Sequence, residues 1–118
     1  MLVEDDAAVR RSLQLLLTAR GYEVRSYPTA TGLASDPIAL QADCLIADLI
    51  LPGTNALALY QELRSAGWQG KSILISGHLS DNWTSRALEK GFDAVLAKPL
   101  DDGTLIRCIG QLTDSATR

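Results

Sequence analysis

The chain is poor in cysteine and histidine, has no excess of basic charge and contains no long apolar run. Its two cysteines, Cys44 and Cys108, sit in the apolar stretches Cys44-Leu45-Ile46 and Ile106-Arg107-Cys108-Ile109. They read as reduced core thiols rather than a bridge or a metal pair, with a reducing cytoplasm as the expected setting. Eleven basic residues against fourteen acidic ones give a net charge of −3, which argues against nucleic acid as a direct ligand. No run approaches the roughly 20 apolar residues needed to span a bilayer, so no membrane role is expected. Met1-Leu2-Val3-Glu4-Asp5-Asp6 lacks the basic and apolar regions of a signal peptide. Neither an internal repeat nor a low-complexity tract is present.

What is present is a well-mixed globular composition. The 118 residues fit one domain, taken as 1–118. With 47% hydrophobic residues the chain can bury a core without disulfides or a structural metal.

Apolar runs alternate with helical spacing along the chain. Leu2-Val3 reads as a short strand ending in acids. Val9, Leu13, Leu16 and Leu17 make one apolar helix face, with Asp6 as N-cap and Gly21 as stop. Glu23 to Tyr27 predicts a second strand closed by Pro28, and Thr29 to Ser35 a short, weak helix broken by Asp36-Pro37. Cys44 to Ala47, ending at Asp48, is a continuous apolar run suited to a strand buried on both faces. Pro52-Gly53 is a turn, and Ala56, Leu59, Tyr60 and Leu63 predict a third helix stopped near Gly67. Ser72 to Ser76 is a further buried strand, Asp81 to Lys90 a helix, and Ala94 to Ala97 the last strand, ended by Lys98-Pro99. Leu105, Ile109 and Leu112 line the final helix. The order is (βα)5, and the expected fold is α/β: a doubly wound, five-stranded parallel sheet of flavodoxin-like type, strand order 2-1-3-4-5.

In such a sheet, ligands bind beyond the C-terminal strand ends where the winding reverses. That places Glu4-Asp5, Asp48, Ser76 and Lys98 on one rim. Three neighbouring carboxylates raise one another's pKa values. A divalent cation removes the conflict, and an all-oxygen set with few carboxylates suits Mg²⁺. A phosphoryl group at Asp48 would meet the metal, Lys98 and the Ser76 hydroxyl, the electrostatic arrangement that phosphoryl transfer requires.

Four segments carry a resemblance: Val3-Glu4-Asp5-Asp6, Ile46-Ala47-Asp48-Leu49 with Leu51-Pro52-Gly53, Ile75-Ser76-Gly77, and Leu96-Ala97-Lys98-Pro99-Leu100. In order and spacing, over roughly Leu2 to Leu112, the chain resembles the response-regulator receiver domains of two-component signal transduction. The resemblance implies that Asp48 is the phosphoacceptor, and that Glu4, Asp5, Asp48 and the backbone carbonyl of Ile50 hold Mg²⁺. It implies that Ser76 and Lys98 contact the phosphoryl group, and that the Lys98–Pro99 bond is a candidate for the cis form. The implied partners are a histidine kinase or phosphotransfer protein and an output domain or downstream protein; a homodimer is also compatible. The switched surface is expected over Asp81 to Leu112. Such a domain catalyses only its own modification and is not counted as an enzyme.

The sequence departs from the family pattern at three places. Val95 stands where many receivers carry an aromatic ring, so no ring can swing there. Asn55-Ala56 replaces a frequent Asp-Gly, so the third helix is expected to start slightly shifted. Ile50 and His78 stand at the positions that line the approach of attacking water; an apolar Ile50 predicts slow hydrolysis of the aspartyl phosphate unless His78 assists. His78 itself reads as a loop residue, since phosphotransfer histidines lie on helices of a different domain. Trp68 and Trp83 read as core-edge residues ahead of partner anchors. Two alternatives remain: an unphosphorylated interaction module of the same fold, and a haloacid-dehalogenase-like phosphatase, whose Asp-x-Asp after strand 1 is not matched by Glu4-Asp5-Asp6.

Overall fold

The computed structural model describes residues 1–77 and 81–117, with the backbone alone at 81 and 114–117. In chain order the elements are β1 (Leu2–Val3), α1 (Ala7–Ala19), β2 (Ser26–Tyr27), β3 (Cys44–Asp48), α2 (Ala56–Ser65), β4 (Lys71–Ser76), α3 (Asp81–Lys90), β5 (Ala94–Ala97) and α4 (Asp102–Thr117). Two 3-10 turns, Leu33–Ser35 and Ala39–Gln41, lie between β2 and β3. A small antiparallel hairpin, Ile50–Leu51 with Thr54–Asn55, follows β3. The main sheet is parallel throughout, in the order β2-β1-β3-β4-β5. This is the doubly wound 2-1-3-4-5 sheet expected from the sequence.

The period-2 alternation of the central strands sorts their side chains into two cores. Leu2, Ile46, Ile73 and Ile75 pack with Leu13 and Leu17 of α1 and Leu105 and Ile109 of α4. Val3, Leu45, Ala47 and Leu74 pack on the opposite face with Leu59, Tyr60 and Leu63 of α2 and Ala87 of α3. Both faces are thereby covered, which is why β3 and β4 tolerate no charged residue between Leu45 and Ala47 or between Ser72 and Ile75.

Local sequence sets the element ends. Asp6 caps α1, its Oδ1 accepting from the N–H groups of Ala8 (2.9 Å) and Val9 (3.2 Å). Gly21 follows the helix with φ 90°, a left-handed conformation that glycine adopts without steric cost. Asn55 caps α2 by accepting from Ala58 N–H at 2.9 Å, so the helix begins at Ala56 with no visible penalty for the unusual Asn-Ala pair.

Two expectations need correction. The second strand is confined to Ser26–Tyr27, not Glu23 to Tyr27. β2 is an edge strand whose one neighbour in the sheet is β1, and β1 offers two paired residues, so Glu23 and Val24 have no ladder to join and Arg25 contributes only its C=O, which accepts from Leu2 N–H at 2.9 Å. The weak helix over Thr29 to Ser35 is reduced to one 3-10 turn, Leu33–Ser35, and the second turn, Ala39–Gln41, lies beyond Asp36-Pro37. Gly32 takes φ 77° immediately before the first of them, and Asp36-Pro37 divides the segment. Trp68 takes its core-edge place: it is 3% exposed, and its indole N–H donates to Ala42 C=O at 2.7 Å. Trp83 is partly buried against the α2–α3 core. Cys44 and Cys108 are free thiols. Burial pushes the Cys44 thiol up to about 11.

Candidate functional site

The parallel register lines up the strand ends that carry polar residues. Val3 lies opposite Ala47, Asp48 opposite Ile75, and Ser76 opposite Ala97. The residue after each of β1 and β5, and the last residue of β3 and of β4, therefore emerge on one rim. There Lys98 Nζ donates to Glu4 Oε1 and to Asp48 Oδ2, both at 2.6 Å. These partners are 94 and 50 positions away in the chain. The Lys98 backbone N–H is tied to Ser76 C=O at 2.9 Å, and the Lys98–Pro99 bond is cis. One carboxylate oxygen from each of Glu4, Asp5 and Asp48 lies within 4.8 Å of the others. This is close enough to share one cation, as the sequence reading demands.

The three acids differ in setting. Glu4 is fully buried and its Oε2 is a buried oxygen without a hydrogen-bond partner among the described residues, whereas Asp5 is exposed. Burial pushes Glu4 up to about 7, opposed by the Lys98 hydrogen bond and assisted by Asp48. Burial also acts to raise Asp48, but the hydrogen bonds from Lys98 and the Ile50 N–H outweigh it, and its pKa is lowered. Burial acts to lower Lys98, but its two carboxylate partners outweigh it and its pKa is raised. Burial thus favours the protonated form of Glu4, while the Lys98 and Ile50 donors favour the ionised form of Asp48.

Asp5, Asp48, Ile50, Gly77 and Lys98 line a cavity of about 250 Å³. Asp48 is held by two donors of different strands and loops: Ile50 N–H to Oδ1 at 3.2 Å, and Lys98 to Oδ2. Ile50 is 52% exposed beside it, an apolar side chain at the mouth of a charged cavity. Ser76 is buried at the end of β4 and is not among the residues lining the cavity; Gly77, the next residue, takes that place. His78 lies outside the described residues. Val95 is partly buried beside the α2–α3 core, so an aliphatic side chain does occupy the position of the missing ring.

One residue of the cavity and one residue beside it were not picked out from the sequence. Gly77 gave only a motif neighbour. Arg10 gave no signal, since an arginine on an amphipathic helix usually reaches into solvent. Here its Nη1 donates to the Glu4 carbonyl at 2.9 Å. A larger cavity of about 370 Å³ lies at the opposite, N-terminal edge of the sheet, among Leu17, Val24, Cys44 and Ile109, and holds none of these groups.

The fold and site define a doubly wound α/β protein whose switch point gathers three acids and one lysine. A family profile for the response regulator receiver domain matches residues 1–110. The chain belongs to that family. The transcriptional regulatory protein FixJ of Azorhizobium caulinodans is 31% identical over 108 residues, covering 92% of this chain and 51% of that protein. Nodulation protein W of Bradyrhizobium diazoefficiens is 32% identical over 113 residues, covering 96% and 50%. The chain thus spans about half the length of the curated relatives it matches. Among solved structures, FixJ-N superposes with a TM-score of 0.85 at 26% identity, covering 96% of this chain and 90% of that one. A CheY-like receiver domain protein from Methanospirillum hungatei JF-1 has the same fold: TM-score 0.85, 24% identity, 97% and 91% covered. Membership sets aside the haloacid-dehalogenase-like alternative. Among the described residues no helix is long and apolar enough to cross a membrane.

Proposed function

We propose that this receiver domain takes a phosphoryl group on Asp48 from the phosphohistidine of a histidine kinase or phosphotransfer protein. The observation that carries the reading is the Lys98 ammonium bridging Glu4 and Asp48 across the rim, at 2.6 Å to each. An ionised Asp48 is a competent nucleophile at neutral pH, and the causes of its lowered pKa are on the same rim. One Asp48 oxygen forms a bond to phosphorus as the P–N bond of the donor breaks. The bonding pair leaves on the imidazole nitrogen, and an acyl phosphate remains.

The residues fit Mg²⁺. The donors are all oxygen, three carboxylates converge within 4.8 Å, and Glu4 Oε2 is buried with no partner among the described residues to satisfy it. Glu4, Asp5, Asp48 and the Ile50 carbonyl are the residues that would hold the ion. When bound, it supplies positive charge against the phosphoryl oxygens. Lys98 supplies a second positive charge and keeps the nucleophile ionised. Ser76 stands next to the cavity at the end of β4; in this proposal its hydroxyl turns out to hydrogen-bond a phosphoryl oxygen. The new charge then biases the surface of α3, β5 and α4 between two arrangements that an output domain or a downstream protein reads. The domain modifies only itself and turns over no external substrate.

Mass spectrometry after incubation with acetyl phosphate and Mg²⁺ tests this. Wild type is expected to gain the mass of one phosphoryl group, and Asp48→Ala to gain none. Equal labelling of the two proteins, or none of wild type, rejects Asp48 as acceptor.

A further inference from the structure

We infer that Arg10, on the first turn of α1, is a positioning residue for the divalent-cation site. The inference rests on the metal-site reading above but adds a residue outside the ligand set. Glu4 is fixed from three directions. Its backbone N–H donates to Tyr27 C=O at 3.1 Å, its carboxylate accepts from Lys98 at 2.6 Å, and its carbonyl accepts from Arg10 Nη1 at 2.9 Å. The first two bonds come from β2 and from the residue after β5. The third comes from a helix that begins only three residues further along the chain.

That third bond acts where β1 has ended and the chain turns toward α1. The Glu4 carbonyl belongs to the peptide that joins Glu4 to Asp5. Holding this oxygen fixes the plane of that peptide, and with it the positions of the Asp5 N and Cα from which the side chain starts. Asp5 is exposed and has no neighbouring core to orient it, yet its carboxylate is brought within 4.8 Å of those of Glu4 and Asp48. Arg10 is partly buried and bends back six positions to make the contact, whereas Arg11 beside it is exposed. The guanidinium also places a permanent positive charge beside a strand end that carries two adjacent acids. Arg10 is not among the residues that line the cavity; its hydrogen bond acts on the site through the Glu4–Asp5 backbone, while its charge acts through space against cation binding and makes the tether the part of Arg10 that favours the metal.

Groups that orient metal ligands typically change metal affinity by roughly 10- to 100-fold when removed. For a single backbone tether the lower end applies. Isothermal titration of Mg²⁺ into the full chain is expected to give a dissociation constant raised about tenfold in Arg10→Met. Arg10→Lys, which keeps the charge and one donor, is expected to recover part of the loss. The extent of labelling by acetyl phosphate at saturating Mg²⁺ is expected to match wild type, because no reacting group has been moved. Metal-free thermal unfolding of each variant separates orientation from general destabilisation. An unchanged Mg²⁺ affinity in Arg10→Met overturns the inference. So does an affinity loss that follows the metal-free melting temperature, with lysine no better than methionine. Should Arg10→Met fail to fold, Arg10→Gln, which keeps a donor without the charge, is read against the same outcomes. If wild type itself binds no Mg²⁺, the metal-site reading fails; if wild type binds and the variants bind equally well, only the role of Arg10 fails.

Discussion

At the scale of single residues, Lys98 decides the character of the site. Its ammonium is the shared partner of Glu4 and Asp48, and its side chain is only 25% exposed. Removing one partner of a buried ion pair leaves the other charge uncompensated. Lys98→Met is expected to lower metal-free stability by about 2 kcal/mol, less than for a fully enclosed pair because the rim is partly wet. A urea midpoint that falls at unchanged slope checks this; an unmoved midpoint means that Lys98 does not hold the acids together. Ile50 sets a different property. Its apolar, half-exposed side chain offers no hydrogen bond to water approaching Asp48. Ile50→Asn is therefore expected to shorten the phosphoryl lifetime, measured by loss of the labelled mass over time, and an equal lifetime removes the idea. Cys44 gives a pH test. Burial raises its thiol from 9.0 to about 11, so the folded state holds that proton more tightly than the unfolded chain. Its contribution to stability is present below about pH 9 and is lost as pH rises through about 11. At pH 8.5 its alkylation by iodoacetamide is expected to be on the order of 100-fold slower than that of a free thiol. Reaction at the free-thiol rate contradicts the burial argument.

At the scale of elements, the helices and central strands were legible because periodicity and capping agree there. Asp6 and the spacing from Val9 to Leu17 specify α1, and the apolar runs before Asp48 and Ser76 specify β3 and β4. Asn55 is a cap in its own right, not a flaw in the start of α2. Asn55→Ala is expected to cost about 1 kcal/mol, and Asn55→Asp much less, both read from thermal or urea unfolding; equal stability of the alanine variant and wild type denies the cap its role. The segment from Thr29 to Gln41 was not legible. It contains enough apolar residues for a helix, but Gly32 and Asp36-Pro37 interrupt the backbone, and Leu33 and Ala39 are buried by two separate turns instead. The length of β2 was equally hidden. Glu23 to Tyr27 has strand composition throughout, and only its pairing with a two-residue β1 limits it.

At the scale of the whole molecule, the site exists because four strands, β1, β3, β4 and β5, end together. A cation held by residues after β1 and at the end of β3, as proposed, would link parts of the chain more than 40 positions apart and would stabilise only the folded state. At a Mg²⁺ concentration 100 times the dissociation constant the gain is about 2.7 kcal/mol. A matching rise in melting temperature is expected for wild type and a much smaller one for Asp48→Ala; identical shifts place the ion elsewhere. The sequence by itself determined the alternation of strands and helices and marked Glu4, Asp5, Asp48, Ser76 and Lys98 as strand-end residues, because both are written in local periodicity; the sheet order came from applying a known doubly wound arrangement to that alternation. Only the tertiary structure decided that Lys98 bridges Glu4 and Asp48, that Glu4 Oε2 is buried without a partner among the described residues, that Gly77 and not Ser76 lines the cavity, and that Arg10 turns back to the Glu4 carbonyl. These are relations between side chains on different elements. They depend on sheet register and on burial, and neither is a property of any one stretch of chain.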